Sequence, residues 1–118
     1  MDKAEYQSRL EELNSLVKKE DYEGALAVVE AVDWRRVKSL RTLGMVADVY
    51  EANKRYPEAK KILLMAYDHS SIGKGILYRL VEVSVKMKDF DEAIDFYNEF
   101  EAVARHDNSR YLLKYKIL

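Results

Sequence analysis

Cysteine is absent from these 118 residues, proline occurs once and glycine four times. Such a chain has no disulfide framework, no thiolate chemistry and no cysteine-ligated zinc site. So few breakers leave room only for short loops. Charge of one sign is also lacking: 20 Lys and Arg stand against 21 Asp and Glu, a net charge of −1, which gives no sequence-wide pull toward phosphate backbones or anionic lipid. No apolar run approaches the roughly 20 residues that span a bilayer. The opening Met1-Asp2-Lys3-Ala4-Glu5 is charged, unlike the apolar core of a signal peptide. The expectation is a single cytoplasmic domain over residues 1–118, with no cofactor, no metal, no membrane and no nucleic-acid partner.

What the chain has is an internal repeat. Tyr22-Glu23-Gly24-Ala25, Tyr56-Pro57-Glu58-Ala59 and Phe90-Asp91-Glu92-Ala93 place an aromatic residue three positions before an alanine, at spacings of 34 and 34. A fixed period of that length marks stacked helix-turn-helix units, none of which buries its apolar face alone. Before each signature, apolar residues recur at steps of three, four and seven: Leu10, Leu13 and Val17; Leu43, Val46, Ala47 and Tyr50; Leu77, Leu80, Val81 and Val85. That is one face of a first helix. Second helices begin near the anchors, where Asp21 and Asp89 are suited to cap free N–H groups and Pro57 to a first turn. Their inner faces read Val28, Val29 and Val32; Ile62, Leu63 and Ala66; Ile94, Tyr97 and Phe100. The aromatic anchors are expected to fill the wedge between successive helices, and the alanines to sit where helices touch. Short punctuations fall at Asp33-Trp34, Asp68 to Gly73, and His106 to Ser109.

Aligned in this way, the chain resembles the tetratricopeptide repeat family, and Asp89-Phe90-Asp91-Glu92-Ala93-Ile94 lies close to the family pattern. The resemblance implies an all-α, right-handed superhelical solenoid of antiparallel helix pairs, with repeats at about 5–33, 35–69 and 73–105. It departs from the pattern at the small residue twelve positions before the alanine, which reads Leu13, Ala47 and Val81, and in the first repeat at Glu12, where Val46 and Leu80 stand in the others. After Asn108 a seventh helix begins in register, since Tyr111 lies 34 beyond Leu77. That incomplete fourth repeat, 108–118, suggests either the N-terminal part of a longer array or self-association through Tyr111, Leu112, Tyr115 and Leu118.

The resemblance further implies that function lies on the groove lined by the first helices. Counting back from the alanines gives four columns: Gln7, Arg41, Gly75; Leu10, Gly44, Tyr78; Asn14, Asp48, Glu82; and Val17, Glu51, Val85. The expected activity is binding of a protein partner's peptide or helix, with Tyr78 as aromatic anchor and Asp48, Glu51 and Glu82 selecting a basic or amphipathic segment. Of the positions that would grip an acidic chaperone tail, Leu10, Asn14, Asp48, Tyr78 and Glu82, only Asn14 fits. A structural spacer or assembly segment joined through its C-terminal helix is the alternative. Catalysis is not expected: His69 and His106 sit in turns without metal-ligand spacing, and Gly73-Lys74-Gly75 lacks the spacing of a phosphate-binding loop.

Overall fold

The computed structural model describes residues 1–104. Among them are six helices and no strand: α1 (Lys3–Lys18), α2 (Tyr22–Glu30), α3 (Leu40–Ala52), α4 (Tyr56–Asp68), α5 (Lys74–Lys86) and α6 (Phe90–Val103). Each helix packs on the next in chain order, which is the one-dimensional stacking of a helical solenoid. The second helix of every pair starts on its aromatic anchor. Asp21 and Asp89 supply the expected caps, accepting from Gly24 N–H at 2.9 Å and Glu92 N–H at 3.2 Å. Arg55 makes no such bond at the head of α4, where Pro57 occupies the first turn and presents one fewer N–H to satisfy.

The corner inside each pair repeats as faithfully as the signature. Glu20, Lys54 and Lys88 adopt left-handed backbone, with φ of 60°, 58° and 60°, and stand 34 and 34 apart. At each, the N–H of the left-handed residue donates to a carbonyl three positions back: Val17, Glu51 or Val85. The next N–H donates five back, to Leu16, Tyr50 or Ser84. This paired bonding closes a helix whose last carbonyls would otherwise lack donors. It turns the chain in three residues.

Ala25, Ala59 and Ala93 are wholly buried, as are Leu13, Leu43, Val46, Ala47, Leu77, Leu80 and Val81. A large residue at position 13 therefore packs as tightly as Ala47 in the same column. Glu12 is exposed where Val46 and Leu80 are buried. The aromatic anchors are less deeply placed than the wedge role requires: Tyr22 and Tyr56 are half-buried and Phe90 is 46 % exposed. The first two have a further pair of helices beyond them, and Phe90 has none among the described residues. For the same reason Ile94, expected on the inner face of α6, is 44 % exposed, while Ala93, Tyr97 and Phe100 form that face.

The Asp33-Trp34 punctuation is also a correction. The connection from α2 to α3 runs over nine residues, 31–39, and the second repeat's first helix begins at Leu40 rather than near 35. Trp34 is 5 % exposed within that connection. Its indole N–H donates to the Val29 carbonyl at 2.9 Å, and its ring meets Tyr6 of α1 edge-on, with centroids 6.3 Å apart. A buried indole needs such a partner, and here it staples the connection over the end of α2. Arg35 turns outward and chelates Asp33 through Nε and Nη2, so that these hydrogen bonds hold the Asp33 carboxyl well below its ordinary range.

Candidate functional site

All twelve residues of the four columns lie on α1, α3 and α5, and none is fully buried. Gln7, Arg41 and Gly75 are exposed, as are Asn14 and Asp48; Leu10, Gly44, Tyr78, Val17, Glu51, Glu82 and Val85 are partly covered. Tyr78 is half core: its ring meets the buried Phe100 edge-on at 5.8 Å. Its truncation would loosen α6 as well as alter the groove.

Between α3 and α5, the columns are closed by a residue outside them. The Arg79 guanidinium donates to the Gly44 carbonyl at 3.2 Å, to Asp48 at 2.6 Å and to Glu51 at 2.7 Å. A Cβ at Gly44 would stand 3.5 Å from that guanidinium, ordinary contact distance, so this close approach does not require glycine. Lys86 also reaches Glu51 at 3.7 Å and lies over the Tyr56 ring at 5.7 Å. Partial burial is the largest influence on the Asp48 carboxyl and raises it above its ordinary value, with Arg79 opposing and Glu51 adding. Asp48 and Glu51 thus already hold a cation. They do not offer the groove two free carboxylates, contrary to what their columns suggested, and Glu82 too has an interaction partner.

Between α1 and α3 the equivalent space is open. Leu10, Asn14, Val17 and Lys18 of α1 face Arg41, Thr42 and Met45 of α3 across a cavity of about 680 Å³. Met45 stands 34 before Arg79, and Leu10, Asn14 and Val17 stand 34 before Gly44, Asp48 and Glu51. The two gaps are therefore the same four positions in successive repeats. One has an arginine and two acids, which tie it shut; the other has a methionine, an asparagine and a valine, which leave it open.

Sequence reasoning brought Leu10, Asn14, Val17 and Arg41 to one place and missed Lys18, Thr42, Met45 and Arg79. The signal was available, because Met45 and Arg79 share a column, but it lies one residue off the columns counted. His69 caps the C-terminus of α4 and is exposed. Gly73 has φ +71° at the head of α5, and a Cβ there would fall 2.6 Å from the Tyr67 ring, so glycine is required for this helix start. No three His, Asp or Glu side chains among the described residues gather to hold a metal ion, and no helix there is long and apolar enough to cross a membrane. His106, Tyr111, Leu112, Tyr115 and Leu118 lie outside the described residues.

No family model matches the chain, and no curated protein matches it in sequence. Solved structures do resemble it. SycD, a type III secretion chaperone of Yersinia enterocolitica in complex with a peptide of the translocator YopD, has a TM-score of 0.70 at 11 % identity, over 98 % of this chain and 88 % of that one. PcrH in complex with the chaperone-binding region of PopD has 0.68 at 10 %, over 99 % and 88 %. PcrH from Pseudomonas aeruginosa has 0.66 at 11 %, over 99 % and 89 %. At such identity the likeness is one of fold, and the fold shared with these chaperones is a helical-repeat solenoid.

Proposed function

We propose that the chain is a protein-interaction module that captures a peptide or helix of a partner protein in the groove formed by its first helices. The observation that carries this reading is the open gap between α1 and α3, where Leu10, Val17 and Met45 line a cavity of about 680 Å³, large enough for several side chains of a segment laid along the helices. Two of the structural neighbours hold peptides of other proteins, which supports the same class of activity here. Of the two partner chemistries expected from the sequence, an amphipathic segment fits better than a simply basic one, since Arg79 occupies Asp48 and Glu51.

Peptides selected on the chain from a random display library test this. Binding of the selected peptides should fall at least about tenfold on Met45→Asp or Leu10→Asp, because a charge is then buried against apolar side chains. It should survive Ile94→Asp. The opposite pattern would favour the second reading, a structural or assembly segment of a larger helical-repeat protein, which the exposure of Phe90 and Ile94 on α6 supports.

A further inference from the structure

We infer that the α1–α3 gap selects an amphipathic segment bearing carboxylates, with its apolar side chains on Leu10, Val17 and Met45 and its acids at Lys18 and Arg41. This deepens the groove reading and rests on it. Elsewhere the cations that bridge helices are matched within the chain: Arg55 by Glu30 and Glu58, Lys60 by Glu92, Arg79 by Asp48 and Glu51, Lys86 by Glu51. Lys18 and Arg41 line the cavity and have no acidic partner among the described residues. No carboxylate lines the cavity either; its remaining polar residues are Asn14 and Thr42. An occupant therefore meets an apolar floor flanked by two cations, and complementarity of sign decides among occupants of equal apolar content.

The same argument disfavours the chain's own C-terminal stretch. Residues 105–118 contain Arg105, Arg110, Lys114 and Lys116 against the single acid Asp107, so they carry the sign of Lys18 and Arg41. The sequence columns pointed to repulsion of anionic ends at Asp48 and Glu82. Arg41 shares α3 with Asp48, but Asp48 is held by Arg79 and does not line the cavity, and Glu82 lies on α5.

Two synthetic helical peptides with identical leucine positions, one with glutamate and one with lysine on the polar face, distinguish the possibilities by fluorescence anisotropy against the full chain. The glutamate peptide should bind about tenfold tighter at low ionic strength, with the advantage shrinking as salt screens two exposed pairs. Lys18→Glu with Arg41→Glu should reverse the preference. Lys18→Gln with Arg41→Gln, which adds no like charge, should abolish it while leaving leucine-driven binding that Met45→Asp removes. Equal binding, or tighter binding of the lysine peptide by the unaltered chain, would overturn the charge assignment and leave the groove reading standing. If neither peptide binds, or if light scattering shows a dimer that Met45→Asp dissolves, groove capture of a partner fails along with it.

Discussion

Ser84 has a hydroxyl with no hydrogen-bond partner and no exposure to solvent. Its column siblings are Leu16 and Tyr50, one apolar and one long enough to carry its hydroxyl outward. A buried hydroxyl left unpaired costs roughly 1–3 kcal/mol. Ser84→Ala should therefore stabilise the chain by about 1 kcal/mol, read as a higher denaturation midpoint at unchanged slope. A lower midpoint would mean that the hydroxyl finds a partner. Gly73 lies at the other extreme, since the left-handed backbone and the Tyr67 ring leave no room for a side chain.

The helices are joined by side chains that differ from gap to gap. Second helices are linked by Arg55 to Glu30 at 3.0 Å, by Lys60 to Glu92, and by Tyr67 to Glu99 at 3.4 Å. First helices are linked at α3–α5, through Arg79 and Lys86. Arg79→Met should cost about 1–3 kcal/mol, from charge-assisted bonds discounted for the exposed Asp48, and should open a second gap between first helices. The stability loss is read by denaturant titration and the opening by faster amide exchange in α5. An unchanged midpoint would show that apolar packing alone holds α3 to α5. Much of this level was legible in the sequence. The aromatic anchors mark where α2, α4 and α6 begin, because a 34-residue period and its caps are local signals. The column that Arg79 shares with Met45 was legible, but its pairing was not, since its partners lie 28 to 35 positions away and only the stacking distance brings them together. Trp34 lies in the connection between pairs as expected, but its burial was not legible, because it depends on Val29 and on Tyr6 of a different helix. Phe90 and Ile94 follow the helical pattern of their siblings, yet no further pair among the described residues covers them.

At the scale of the molecule, a stack whose units touch only their neighbours has a stability close to the sum of its parts. The three corners at Glu20, Lys54 and Lys88 test that additivity. Left-handed backbone costs a residue with a side chain roughly 1–2 kcal/mol, partly offset by the entropy that glycine loses on folding. Each substitution to glycine should therefore stabilise by about 0.5–1 kcal/mol, and the triple variant by the sum of the three, since the corners share no partners. A triple gain clearly below the sum would show that the pairs do not unfold as independent neighbours. Because Glu20, Lys54 and Lys88 close their corners through backbone N–H groups, none of these three side chains is needed to hold the turn. A chain without native cysteine can thus carry thiol-attached probes at positions 20 and 88, one period either side of Lys54. Their separation becomes a ruler for the pitch of the superhelix, able to tell whether a captured segment straightens the stack or tightens it.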